Sequence, residues 1–450
     1  MAVCPIDSGR YGSKEMKSLF SEESRLQRML DVEVALAETL AELGEIPRAA
    51  PQKIKRKALV SIVTPERVKE RELKTRHDLM AMVEVLAEES GDYGKYVHWG
   101  ATSYDIVDTA WTLMMRDGLA ILESGLEELT ESLCLAAEKH KGTIMVGRTH
   151  GQHATPITWG FKTAVFAAET ARNLERLRAL RGRLLVGKMS GATGTMASQG
   201  PKALEIERLV MQRLKLSPAE ISTQVICRDR IAEFVAWAAI TASGLDRIAT
   251  EIRNLQRTEI HEVAEGFETG SQVGSSTMPH KQNPIDCEKV SGLAKVLRGM
   301  VITALENIPL WHERDLTDSS SERFLVPMTF IILDEMLVTT ARVMKNLRVF
   351  PEQMRRNLGI TGGAILTEAV MMALARKGMG RQKAHELMRG MAAKAAKEGK
   401  PVREILLESR EISGYLSKGE IDSLMKPENY LGKSPEIIAR AVKHARESIA

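Results

Sequence analysis

The chain has 450 residues, more than one ordinary compact core holds, so two or three domains are expected. Hydrophobic residues at 44% and charged residues at 27% exclude a disordered polymer. A net charge of only +4 excludes the strongly basic face of a nucleic-acid binder and suits an enzyme for anionic small molecules.

The opening MAVCPIDSGRYGSKEM lacks a basic-then-apolar signal pattern, and no stretch approaches the ~18 uninterrupted apolar residues of a membrane span. A cytoplasmic protein without membrane partners is expected. The four cysteines, Cys4, Cys134, Cys227 and Cys287, are far apart and form no CxxC pair, so reduced thiols are expected rather than disulfides or metal ligands.

From Leu26 the residues Met29, Leu30, Leu36, Leu40 and Leu43 recur at helical spacing, until Gly44 and Pro47 stop the pattern. Glu33 interrupts that apolar stripe. Thr64-Pro65-Glu66 reads as a capped helix start, with the helix running toward Glu89 and Gly91 beyond it. The basic run Lys53–Lys57 reads as a solvated helix face.

The middle of the chain predicts long helices. No proline occurs between Asp105 and His140, and one helix of about 35 residues there would span roughly 50 Å. Pro156–Leu180, Arg228–Gly266, Pro284–Glu306 and Ser321–Leu347 read the same way. The apolar stretch Ile231–Leu245 contains Glu233 and Thr241 and reads as a buried helix. Strand signals are nearly absent. Helices of this length need a long bundle, with partners from other subunits, to bury their faces. After Phe350-Pro351 the helices shorten, separated by Gly362-Gly363, Gly378, Gly380, and Gly399 with Pro401. The expected division is an N-terminal helical domain over 1–101, a central long-helix domain over 102–350, and a small helical domain over 351–450.

Gly270 to Pro284, GSQVGSSTMPHKQNP, carries two glycines, four hydroxyl side chains, a histidine and Lys281 ahead of a helix start at Pro284. Such a stretch is suited to close on an anion. Its core, Ser275, Ser276, Thr277, Met278, Pro279, His280, Lys281, Gln282, Asn283 and Pro284, resembles the SSxMPxKxNP signature of the fumarase/aspartase superfamily. The resemblance implies an all-α fold of three helical domains with a long central bundle. It also implies a homotetramer whose active sites are shared between subunits, and β-elimination that yields fumarate.

Within that superfamily, YVHWGATSYDIVDTA from Tyr96 and GRTHGQHATPITWG from Gly147 resemble the adenylosuccinate lyase family. So do RYGSKEM with Arg10 and Tyr11, KTRHD with Arg76, His77 and Asp78, GKMSGATGT from Gly187, STQVICRDR from Ser222, and WHERDLTDSSSER from Trp311. The first segment is shared with carboxymuconate cycloisomerases, the alternative reading, but those characteristically lack the histidine of Thr149-His150-Gly151-Gln152. A lyase fold kept as an inactive structural protein is disfavoured by the joint presence of His150, Ser276, Lys281, Asn283 and Glu288. The chain departs from the family at Gln282, often arginine, and at Leu316, Thr317 and Asp318, often isoleucine, serine and histidine.

The resemblance assigns roles. His150 is the expected general acid, because imidazole gains and loses protons near neutrality. Glu288 is expected to orient it and favour its protonated form. Ser276 is the expected base; an isolated hydroxyl is a poor one, so the alkoxide needs a cation, with Lys281 nearest in sequence, and Ser275 is the next candidate. Lys281 and Asn283 are expected at the succinyl carboxylate, with Thr102, Ser103, Thr149 and Gln224 adding donors and Met278 lining the site. His77 and His98 are expected as positioning or charge-bearing site histidines, while Asp78 and Asp105 fit structural roles equally well. Arg10, Tyr11, Ser319, Arg323 and Arg314 are expected at the phosphate, since arginine matches its oxygens in pairs. No cofactor or metal is implied. GKMSGATGT matches no nucleotide-binding glycine motif and reads as a tight packing loop near the site.

Overall fold

The computed structural model describes residues 4–267, 277–278 and 280–449. Its elements in chain order begin with α1 (Lys14–Leu19), α2 (Glu22–Glu42), α3 (Ala50–Lys57), α4 (Pro65–Thr75), α5 (Asp78–Glu89) and α6 (Ser103–Lys139). A hairpin follows, β1 (Ile144–Thr149) and β2 (Gln152–Thr158), then α7 (Trp159–Leu184), β3 (Val186–Gly187), α8 (Ala203–Leu214), β4 (Ser217–Pro218) and α9 (Asp229–Leu255). Next come β5 (Val263–Ala264), α10 (Ile285–Glu306), α11 (Thr317–Asn346) and β6 (Arg348–Val349). The chain ends in α12 (Pro351–Gly359), α13 (Thr367–Leu374), α14 (Arg381–Glu398), α15 (Val402–Glu408), α16 (Arg410–Ser413), α17 (Lys418–Leu424) and α18 (Ser434–Ile449). The fold is all-α, with strands only as short two-stranded pairings among the described residues.

The chain divides into two compact units. One holds Met1–Leu126, Asn173–Ser243 and Gly292–Val338; the other holds Glu127–Arg172, Gly244–Ser291 and Thr339–Ala450.

In the first unit, α2 forms as its pattern requires. Ser21 caps it by accepting from the Ser24 amide, Glu22 and Glu23 meet the positive helix end, and Leu30, Leu36 and Leu40 are buried. Each such leucine contributes roughly 1.5–3 kcal/mol on leaving water. The expected single helix from Pro65 to Glu89 is instead two. Thr64 caps α4 as expected, but Arg76 turns left-handed (φ 52°) and His77 is extended, so the chain breaks and restarts as α5. Most of the apolar stretch Ile231–Leu245 is buried within α9, but Ile240 is exposed, and Glu233 reaches outward to Arg183 at 2.9 Å. Phe330 of α11 stacks on Phe234 with ring centroids 4.4 Å apart. Gly118 of α6 allows this, because a Cβ there would sit 2.8 Å from the Phe330 ring.

In the second unit, the helix expected from Pro156 begins only at Trp159; residues 152–158 are a strand. The antiparallel hairpin escapes a period-two reading because a bulge lies between Val146 and Arg148 and three successive residues, Met145 to Gly147, are buried. Val146 packs with Leu358, Ile365 and Leu366. The helix expected over Arg228–Gly266 ends at Leu255, and the chain beyond it pairs Val263 with Val349. The short C-terminal helices share a core of Val370, Leu374, Met388, Ile405, Leu406 and Ile412.

Helix α11 is long and apolar enough to cross a membrane, but 72% of its most apolar window is buried inside the protein. The composition therefore fits a core helix.

Candidate active site

The first unit gathers one set of the expected residues. His77 stands at the break between α4 and α5, where its Nδ1 accepts from the Met80 amide at 3.4 Å. Its Nε2 lies 3.4 Å from Ser103 Oγ, at the start of α6. The neighbouring Thr102 amide donates to Asp105 Oδ2 at 2.8 Å, so Asp105 caps α6. Asp105 is itself buried against Lys188 of the GKMSG segment and accepts from the Ser190 amide at 2.8 Å. That segment is a packing loop tied to the helix presenting Thr102 and Ser103.

His98 precedes this cluster, in a left-handed conformation (φ 60°). Its Nδ1 is 2.7 Å from Glu33 Oε1, and its amide donates to Glu33 Oε2 at 3.0 Å. Burial pushes the imidazole toward neutrality, but the charge and hydrogen bond of Glu33 outweigh it and hold the imidazole pKa above its ordinary value.

The expected phosphate residues divide. Arg314 lies flat on the Tyr104 ring, 3.6 Å from its centroid. It donates to Gln224 Oε1 at 2.8 Å and to Ser319 Oγ at 3.3 Å, and Ser319 also meets the Tyr104 hydroxyl. Arg323 is exposed and pairs with Asp78 at 2.7 Å; Arg76 is exposed beside it in sequence. Arg10 and Tyr11 lie elsewhere along α11. The Gly12 amide that follows them binds Glu335 at 2.9 Å and the Ser13 amide binds Asp334 at 2.8 Å. Glu335 is a dozen residues beyond Arg323, roughly 18 Å along a helix. No hydrogen bond links the side chains of Arg10 or Tyr11 to the Arg314 cluster.

Behind Ser319, Arg228 is buried among three carboxylates. Its Nε is 2.9 Å from both Glu322 Oε1 and Asp318 Oδ2; one N–H cannot point at both, so the Asp318 contact is ionic rather than a directed hydrogen bond. Burial and the neighbouring acids outweigh Arg228 and push the Glu322 carboxyl up to about 7. Asp318, where the family often has histidine, is part of this cluster.

The second unit carries the other set. The pairs Arg148–His153 and Thr149–Gln152 leave His150 and Gly151 as a two-residue turn, with φ of 52° and 75°. Positive φ at both positions is the hairpin geometry that matches strand twist. His150 is thus exposed at the tip of a tight hairpin. The hairpin is anchored by Arg148, whose guanidinium grips the fully buried Glu262 with bonds of 2.7 and 2.9 Å. Asn357 Nδ2 donates to the same carboxylate at 2.8 Å.

Glu265 caps α10 by accepting from the Asp286 and Cys287 amides at 3.2 and 2.7 Å. That fixes the helix start from which Lys281, Asn283 and Glu288 extend. Gln282, the departure from the family pattern, accepts from Arg348 at 2.6 Å. A cavity of about 850 Å³ is lined by Lys281, Asn283, Glu288, Arg253, Arg257 and Arg348, among others. Excess positive charge there suits a carboxylate. Met278 is exposed; Ser275 and Ser276 lie outside the described residues.

Within one chain His150 and Glu288 are not hydrogen-bonded, and both are exposed. The expected orientation of His150 by Glu288 is therefore not made inside the chain. Glu33, Arg148, Glu262 and Lys188, which support the candidate site residues, carry no motif that marks them as such in the sequence. Only Glu33 left a signal, as a charge inside an apolar stripe. Of the seven non-glycine residues with positive φ among the described residues, four are histidines: His98, His150, His261 and His312.

A family model described as "Lyase" matches residues 9–299, and one described as "Adenylosuccinate lyase C-terminus" matches residues 363–441. The adenylosuccinate lyase of Pyrococcus horikoshii is 53% identical over 447 residues, 99% of either chain. That of Methanothermobacter thermautotrophicus is 48% identical, over 99% of this chain and 100% of its own. Among solved structures, the 3-carboxy-cis,cis-muconate lactonizing enzyme from Pseudomonas putida aligns with a TM-score of 0.91 at 33% identity, covering 99% of this chain and 100% of that one. A fumarate lyase from Mesorhizobium sp. BNC1 aligns at 0.89 and 34%, covering 96% and 98%.

Proposed function

Because the chain belongs to the adenylosuccinate lyase family, we propose that it releases fumarate from adenylosuccinate, leaving AMP, and from succinylaminoimidazole carboxamide ribotide by the same chemistry. The observation that carries this reading is the end-to-end identity of 53% with an adenylosuccinate lyase, against 33% with the muconate enzyme of nearly the same fold.

In the proposed reaction a base removes the proton on the carbon beside a succinyl carboxylate. The electron pair left behind forms the carbon–carbon double bond of fumarate as the C–N bond breaks. His150 gives a proton to the departing nitrogen. Ser276 is the proposed base, with Ser275 the alternative. Lys281 and Asn283 stabilise the carboxylate on which charge builds, an effect of a few kcal/mol when donors are fixed in advance. Thr102, Ser103, Thr149 and Gln224 add donors, and Arg314, Ser319, Arg323, Arg10 and Tyr11 take the phosphate. Glu288 orients His150 from another subunit of a homotetramer, which accounts for their separation within one chain. Exposed Ile240, Val296, Ile302, Leu305 and Val338 on the long helices support such an assembly. A cytoplasmic location accords with this metabolic role.

The test is fumarate release by the purified protein from adenylosuccinate, with argininosuccinate and the carboxymuconate substrate in parallel and H150A as control. Release from adenylosuccinate alone, lost in H150A, is expected. Silence on adenylosuccinate with turnover of carboxymuconate would overturn the reading in favour of a cycloisomerase.

A further inference from the structure

Glu33 is a carboxylate set into the apolar stripe of α2, with its side chain 1% exposed. Burying such a group costs several kcal/mol unless it is paired and hydrogen-bonded. Both of its oxygens go to one residue. Oε1 meets the His98 ring at Nδ1, and Oε2 accepts from the His98 backbone amide. No other hydrogen bond or ion pair of Glu33 occurs among the described residues.

The double grip fixes more than a ring. His98 has positive φ, a conformation that costs a non-glycine residue about 1 kcal/mol or more. Glu33 holds the amide and the imidazole of that residue together, so backbone twist and ring direction are set by a single group. A carboxylate oxygen accepts and does not donate, which makes Nδ1 the donor and leaves Nε2 as the other polar end of the ring. Nε2 has no hydrogen bond to a described residue, and the His98 side chain keeps 12% of its surface open. Downstream, after one turn of chain, stand Thr102 and Ser103. The other charge acting on the ring is Asp105 of α6, which is paired with Lys188.

We propose that Glu33 is a positioning residue, which locks His98 in one orientation with Nδ1–H held and Nε2 presented to an anionic group of the substrate. This rests on the proposed lyase reading for what His98 meets, but not for the Glu33–His98 lock itself. The side chain so held is a charged hydrogen-bond donor when the imidazole is protonated, and a fixed Nδ1–H tautomer when it is not.

The decisive variant is Glu33→Gln, whose single amide oxygen accepts from the ring or the amide but not both. In ligand-free, full-length protein, ¹⁵N imidazole spectra are titrated, with His98 assigned by its loss in H98Q. The expected result is a His98 titration at least about one pH unit lower in E33Q, with both tautomers present above it. In the fumarate assay, the basic limb of kcat/KM against pH moves down by the same interval. Unchanged ring titration, or a uniform fall in kcat/KM with no movement of the limb, would overturn the proposal. Should E33Q fail to fold, Glu33→Asp, one methylene short of the ring, is expected to shift the titration in the same direction. Failure of both to fold would assign Glu33 to the core alone and also overturn it. If the wild-type protein released no fumarate, the lyase reading would fall while the ring titration still decided the lock.

Discussion

Lys188 and Asp105 form an ion pair that water does not reach, with both side chains 0% exposed. Asp105 also accepts from the amides of Thr102, Ser190 and Gly191. One carboxylate therefore ties the start of α6 to the GKMSG loop. Removing one partner of a buried pair leaves an uncompensated charge. Lys188→Met is expected to cost about 3–5 kcal/mol, read as a lowered urea midpoint. Replacing both, as in D105L/K188M, is expected to recover part of that loss; a double variant as unstable as the sum of the single ones would show the two residues to be uncoupled.

The carboxyl of Glu322 gives a stability prediction with a definite sign. Its folded pKa of about 7 lies above the ordinary 4.5, so the folded state binds the proton that the unfolded state releases. Its contribution is fully present below about pH 4.5 and is lost as the pH rises through about 7. Glu322→Gln removes this dependence. The melting temperature of E322Q relative to wild type is expected to climb between pH 5 and pH 8; a constant difference would refute the assignment.

Arg314 is held by a ring face and two hydrogen bonds, a planar fit that lysine cannot reproduce. Arg314→Lys is expected to raise KM for adenylosuccinate roughly ten-fold, equivalent to about 1.4 kcal/mol, with kcat nearly unchanged. The dephosphorylated substrate should be handled equally poorly by both proteins. A matching loss on the dephosphorylated substrate would place Arg314 away from the phosphate.

The grip of Arg148 on Glu262 holds the hairpin whose tip is His150. Arg148→Lys loses the paired geometry and one of the two bonds. The expected result is a folded protein with kcat reduced about ten-fold and KM little changed, since the proposed acid is displaced and the proposed binding groups elsewhere are not. An unaltered kcat would show that the hairpin holds its tip without the ion pair.

The long helices were legible because proline is absent from the Asp105–His140 stretch and helical spacing persists through it, both local properties. The lyase signature was legible as a string, although Ser275 and Ser276 lie outside the described residues. What escaped were features set by distant partners. Nothing near Arg76 announces a left-handed turn, so α4 and α5 read as one helix. The bulge in β1 erased the alternation that would have marked a strand. Lys188 looks like any loop lysine until Asp105, 83 residues away, is seen against it. Glu33 was visible as an anomaly, but its explanation lies 65 residues along the chain.

The left-handed histidines carry a consequence for anyone selecting this protein for heat resistance. Glycine would relax the backbone at His150, which stands exposed at the hairpin tip, so a screen that scores folding alone should reward its appearance there; at His98 the loss of the partner of buried Glu33 outweighs that gain. The gain at His150 would delete an imidazole from the candidate site. Directed evolution toward thermostability, run without an activity filter, is therefore expected to drift toward a sturdier and silent protein through this position first.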